Sequence, residues 1–234
     1  MRILFSCLFL VSFLNVFSQE EAKPKIEPIV KIDSLYREDQ FYVSITYNLF
    51  SDIPADLKQN KFSLGLSTGF LRDMPINKKR TFAIAAGLGL SYQNFFQNLT
   101  ISKDGAGNLA YGVNDYNEFV SNRYRQYLVD VPIEFRWRNS TFDSYKFWRI
   151  YLGVKLSYAF ATKSVLDDGE SKYKITDNPN INKFQYGPYI SAGYNTWNVY
   201  IYYGLNPLFN SVKTVSGENV SIRTINAGLI FYIL

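Results

Sequence analysis

The stretch YLVDVPIEFRWR, residues 127–138, carries its charges only at alternate positions. Tyr127, Val129, Val131, Ile133, Phe135 and Trp137 form one set; Asp130, Glu134, Arg136 and Arg138 belong to the other. Successive side chains of a β-strand point to opposite faces, so a period of two sorts this segment into an apolar wall and a charged wall. Pro132 in its middle has no ladder donor and predicts a bulge or a sheet edge there.

The alternation recurs on both sides of this segment. FYVSITYNLF (41–50) sets Phe41, Val43, Ile45, Tyr47 and Leu49 against Tyr42, Ser44, Thr46 and Asn48. FSLGLSTGF (62–70) sets Phe62, Leu64, Leu66 and Phe70 against Ser63, Gly65, Ser67 and Gly69. Residues 82–92 alternate larger apolar residues with Ala83, Ala85, Gly87, Gly89 and Ser91. Downstream, 148–158 opposes Trp148, Ile150, Leu152, Val154, Leu156 and Tyr158 to Arg149, Gly153, Lys155 and Ser157. Segments 184–194 and 197–205 follow. The last strand turns Ile225, Ala227, Leu229, Phe231 and Ile233 to its more apolar face, although Ile230, Tyr232 and Leu234 opposite are apolar too.

Eight such strands predict an all-β fold: an eight-stranded antiparallel up-and-down transmembrane β-barrel over residues 40–234. The expected outer loops are 50–61, 97–124, 161–183 and 206–220, and the inner turns 71–80, 139–146 and 195–197. Long outer loops, short turns and an even strand count place both mature termini in the periplasm of an outer-membrane protein. A soluble lipocalin-like barrel would turn its apolar face inward and its other face to water. Here that other face is built from Gly65, Ala83, Ala85, Gly87, Gly89 and Gly193, which suit a cramped interior better than a solvated exterior.

The N-terminus supports export. Arg2, the apolar run from Ile3 to about Phe17, and Glu20, Glu21, Lys23 and Pro24 follow the order of a secretory signal, with the cut expected before Gln19. The run is shorter than the ~20 residues a spanning helix needs. The expected organisation is a signal peptide (1–18), a charged periplasmic leader (19–39) and the barrel (40–234). Cys7, the only cysteine, follows too short a segment to be a lipoprotein acylation site and leaves with the signal. Aromatic residues make up 18 % of the chain, with 19 Tyr and 19 Phe, as rings in two interfacial girdles require. The formal charge of +5 is scattered, so no nucleic-acid partner is expected.

Eight strands enclose an interior that side chains just fill. The inward charges Asp130, Glu134, Arg136, Arg138, Arg149 and Lys155 are therefore read as a structural network, a plug of paired charges. The alternatives are an ion or proton path, or a catalytic carboxylate pair. The chain has no His, the residue that most often serves as general base or activates a nucleophile, so an enzyme is not expected. No cofactor or metal site is expected either. DDGES (Asp167, Asp168 and Glu170) lacks the spacing of a calcium loop. KDGAGN (103–108) reads as a turn rather than a phosphate loop.

The signal ending FSQ, the segments YLVDVPIEFRWR, FSLGLSTGF, IAAGLGLSY and YGPYISAGYNTWNVYIYYGL, and the ending AGLIFYIL resemble the PorT family of Bacteroidota outer-membrane proteins. The resemblance covers about residues 40–234. Tyr127, Leu128 and Pro132 match the family's fourth strand, with extra charge between them. It implies an eight-stranded barrel linked to type IX protein secretion or gliding, with no shared catalytic motif. The leading expectation is a non-enzymatic subunit or assembly factor of a cell-envelope complex, with outer-membrane lipid and other envelope proteins as partners. The alternatives are a narrow porin-like channel, a surface-binding barrel using the long loops, and an accessory of the barrel-insertion machinery.

Overall fold

A computed structural model describes residues 39–103, 107–139 and 147–233. The expected signal peptide, and all of the expected leader except Asp39, lie outside the described residues. The described residues form eleven strands: β1 (Gln40–Ser51), β2 (Leu64–Pro75), β3 (Phe82–Phe96), β4 (Leu99–Lys103), β5 (Leu109–Val113), β6 (Ser121–Arg138), β7 (Trp148–Asp167), β8 (Lys172–Thr176), β9 (Phe184–Tyr194), β10 (Trp197–Tyr203) and β11 (Arg223–Ile233).

Eight of them close a barrel in the order β1-β2-β3-β6-β7-β9-β10-β11, and β11 returns to β1 through Phe41↔Ile233 to Ser51↔Arg223. Every pairing is antiparallel; successive wall strands pair in chain order, with β4–β5 and β8 standing outside the wall between β3 and β6 and between β7 and β9, and the first strand, β1, closes on the last, β11. Following the pairings once around the wall climbs roughly ten residues along β1, which tilts the strands and sets the barrel's width. The barrel ends where β1 starts and β11 finishes carries the short connections 76–81, 139–147 and 195–196. The opposite end carries the long ones.

The outward face is apolar all the way round. Phe41, Ile45, Leu88, Leu90, Phe135, Leu152, Val199 and Ile201 are exposed, while their neighbours in sequence are turned inward. No soluble surface carries such a belt. On β7 it runs from Trp148 to Phe160, about 25 Å of membrane height for a tilted strand. Aromatic pairs mark its edges. Phe41–Phe70, Phe82–Phe135, Trp148–Tyr194 and Trp197–Phe231 lie toward the short turns, with ring centroids 5.1–5.9 Å apart. Tyr47–Phe62, Tyr92–Tyr127 and Tyr127–Phe160 lie toward the long loops. The last strand adopts the more apolar outward face expected of it, with Ile230 and Tyr232 buried in the lumen.

Three expectations are corrected. Pro132 is at neither a bulge nor an edge: β6 pairs on both sides, and the β3–β6 register is the same at Ala86↔Ile133 and at Gly89↔Asp130. The missing N–H only interrupts the β3 ladder between those pairs. The bulge lies at Tyr127/Leu128. Second, β2 runs on to Pro75 through the segment expected to be a turn, keeping Phe70 and Met74 outward and Leu71 and Asp73 buried. Third, the two longest loops are partly strand. β3, β6 and β7 extend past the membrane belt, β4 and β5 form a hairpin of their own, and β8 folds back on β7.

Candidate functional site

The lumen is the site that the sequence singles out, and it is filled in layers. All six expected charges face inward and are buried: Asp130, Glu134, Arg136, Arg138, Arg149 and Lys155. Among the described residues one further charge joins them, Asp73 of β2, which is 0 % exposed. Near the short-turn end Asp73 is the shared anion of two arginines. Its Oδ1 accepts from Nη1 of Arg136 at 3.0 Å and Nη1 of Arg138 at 3.0 Å, and its Oδ2 from Nη2 of Arg138 at 2.9 Å. Arg136 Nε also donates to Glu134 Oε2 at 2.7 Å, and the Tyr189 hydroxyl donates to Glu134 Oε1 at 2.8 Å. In a low-dielectric interior such charges persist only when paired and hydrogen-bonded.

Higher in the barrel Asp130 is held by three groups. Ser157 Oγ donates to it at 2.6 Å, Ser91 Oγ donates to its other oxygen, and Lys155 Nζ lies 3.8 Å away. Arg149 is the lumen cation left without an acid among the described residues. Among the described residues no carboxylate lies within ion-pair distance of it, and its Nε and Nη1 have no hydrogen-bond partner. Aromatic faces surround it instead, with Phe147 at 4.5 Å, Tyr232 at 5.5 Å and Tyr151 at 5.9 Å from its guanidinium carbon. Tyr151 also stacks on Arg136 at 4.6 Å, and Tyr202 lies 4.4 Å from Lys155 Nζ. Part of the aromatic excess therefore serves the lumen rather than the girdles. Tyr42, Tyr151, Tyr189, Tyr200, Tyr202 and Tyr232 all point inward.

A layer of amides follows. Gln126 Nε2 donates to Gln93 Oε1 at 2.6 Å, Gln185 Nε2 to Gln126 Oε1 at 2.9 Å, and Asn226 Nδ2 to Asn48 Oδ1 at 2.5 Å. Above it the long loops close the mouth with an apolar cap that includes Phe95, Leu99, Ile101, Tyr111, Phe209 and Ile222. Two lumen cavities near Asp130 and Lys155 measure about 10 Å³ each, room for single waters rather than a solute. The interior glycines are explained by the same crowding. A Cβ on Gly89 would meet the Tyr42 hydroxyl at 2.1 Å, and one on Gly153 the Tyr189 ring at 2.5 Å.

The loop motifs turn out to be local structure. In DDGES, Asp168 Oδ1 accepts the backbone N–H of Glu170 and Ser171, and Asp167 pairs with Lys172 at 2.9 Å. That hydrogen bond from Lys172 holds the Asp167 carboxyl below the usual aspartate range. Among the described residues no cluster of His, Cys, Asp and Glu could hold a metal ion. KDGAGN joins β4 to β5, with Lys103 paired to Leu109, and its residues 104–106 lie outside the described residues.

Asp73 is the member absent from the sequence expectation, which places residues 71–80 in an inner turn. The signal was weak, since Phe70, Leu71, Arg72, Asp73 and Met74 break the apolar–polar alternation of the strand before them and no residue type marks Asp73 as inward.

A closed eight-stranded antiparallel barrel with an apolar outer belt, aromatic edges and a polar, packed lumen is a transmembrane barrel of the outer-membrane class. A family model described as outer membrane protein beta-barrel domain matches residues 17–210, and the chain belongs to that family. No curated protein matches the chain.

Proposed function

We propose that this barrel is a non-enzymatic, non-conducting subunit or assembly factor of a cell-envelope complex, with its termini in the periplasm and its long loops outside the cell. The observation that carries this reading is the filled lumen: an ion-paired layer, an amide layer and an apolar cap stand in series along the axis. Work is then left to the wall, the loops and the N-terminal leader, which are surfaces for other molecules. The resemblance to the PorT family directs attention to type IX secretion as the complex concerned.

Mild solubilisation of native membranes, affinity capture of the barrel and mass spectrometry of what accompanies it test this reading. Stoichiometric envelope proteins are expected. Recovery of the barrel alone would defeat it. A deletion strain that secretes type IX cargo normally would remove the secretion assignment while leaving a different complex open.

A further inference from the structure

Past the long-loop girdle, β6 continues outward with Arg123 and Arg125 on the same face as Tyr127, since Asn122, Tyr124 and Gln126 between them are buried. Lys163 of β7 pairs beside Arg125. On β8, Ile175 packs against the apolar cap, so Lys174 lies on the opposite, outward face. Lys61 reaches the same rim, its Nζ 6.0 Å from the centre of the Phe96 ring and donating to the Val120 carbonyl at 3.1 Å. Among the described residues none of these five cations has a carboxylate within ion-pair distance, and the buried Nε atoms of Arg123 and Arg125 have no hydrogen-bond partner. The acids nearby are engaged: Asp167 with Lys172, Asp168 with backbone N–H groups of its own turn, and Asp177 with the N–H of Thr162.

Directly beneath this rim the wall is indented. A groove of about 350 Å³ lies among Leu66, Thr68, Leu90, Tyr92, Tyr127 and Phe160. It shares Thr68 and Leu90 with a second, of about 480 Å³, that runs down to Phe41 and Phe70. Thr68 is the small outward residue between Leu66 and Phe70, and it forms the floor of both. Together they make an apolar trough spanning the belt, with Arg125 two residues beyond Tyr127 and Lys163 three beyond Phe160 at its upper end. At the trough's lower end the outward cation is Arg72, two positions from Phe70, and it is neutralised by Asp39 at 2.8 Å; Lys78 and Lys79 of the β2–β3 turn stand eight or more positions from Phe70.

We propose that this wall and rim bind a phosphorylated, multiply acylated glycolipid of the leaflet at the long-loop end. The acyl chains fill the trough, and the phosphates sit among Arg123, Arg125, Lys163 and Lys174. The width of the cation cluster, which spans three strands and an adjoining loop, favours a two-sugar headgroup over the single phosphate of a phospholipid. The proposal rests on the reading that the long loops face outward.

Native mass spectrometry of the purified full-length protein in neutral detergent tests it. Lipid A, dephosphorylated lipid A and phosphatidylglycerol would be supplied in parallel. The wild-type protein is expected to retain lipid A, and a variant carrying Arg123→Gln, Arg125→Gln and Lys174→Gln to retain at least about tenfold less. Thr68→Trp, which fills the trough and leaves the rim intact, is expected to lose it as well. Equal retention of dephosphorylated lipid A, or full retention by the triple variant, would overturn the site, and equal retention of phosphatidylglycerol would overturn the glycolipid assignment. Heat-modifiable migration on a gel confirms that each variant is folded, and Lys174→Gln alone serves if the triple variant is not. Labelling of Ser171→Cys on intact cells by a membrane-impermeant maleimide reads the orientation separately. Absence of label would refute the outward-loop reading without touching the binding result.

Discussion

Asp73 is wholly buried and bonded to both Arg136 and Arg138, so neutralising it takes a carboxylate charge from two buried guanidinium groups at once. Breaking a buried ion pair from one side costs about 3–5 kcal/mol, more than the pair contributes net. Asp73→Asn is therefore expected to lower the unfolding midpoint in urea by that order. Arg149→Met should cost far less, because the described partners of Arg149 are aromatic faces that a thioether also packs against. If the two variants unfold alike, Asp73 is not the hub. At the loop end a gentler test exists. The folded Asp167 carboxyl lies below its unfolded value, so the stabilisation from its pair with Lys172 is present above the unfolded value and lost as pH falls through the folded one. Titration by NMR should place this carboxyl below an ordinary aspartate, and Lys172→Ala should move it back up.

At the scale of the strand, one face is set by lipid and the other by crowding. Gly69 and Gly89 lie next to each other on β2 and β3, and Tyr42 of β1 lies across both, so the ring occupies the space two side chains would have taken. Gly89→Val should prevent the heat-resistant barrel from forming in refolding assays, since the added atoms meet the Tyr42 hydroxyl and a backbone oxygen of Thr68. A variant that refolds with wild-type yield would show that Tyr42 can leave the lumen. Pro132 makes the complementary point. A strand in a closed barrel has no free edge to hide a missing donor, and β6 tolerates it by skipping ladder pairs toward β3 while keeping its register.

For the whole molecule, the stacked plugs make a prediction about conductance. Purified protein in a planar bilayer should be electrically silent. Deleting the β4–β5 hairpin, residues 99–113, should leave it silent, because the amide and ion-paired layers lie beneath the cap. Steady openings in the intact protein would point to the narrow channel instead. The hairpin is also less dispensable than a free loop would be. Leu99, Ile101 and Tyr111 belong to the cap, so its loss exposes Phe95 and Tyr124 and should lower stability without abolishing the barrel.

The barrel was legible in the sequence because lipid on one side and a narrow lumen on the other impose a strict period of two, and YLVDVPIEFRWR shows both demands in twelve residues. The same alternation sorted Asp130, Glu134, Arg136, Arg138, Arg149 and Lys155 to the inside. Which of them pair was not legible, because partners come from strands far apart in the chain: Asp73 meets Arg136 and Arg138 across more than sixty residues. Nor could composition divide the tyrosines between membrane edge and lumen, since a phenol suits either place. Only closure of the wall decided these matters, by setting the stagger of the strands and thereby the height at which each inward side chain meets the others.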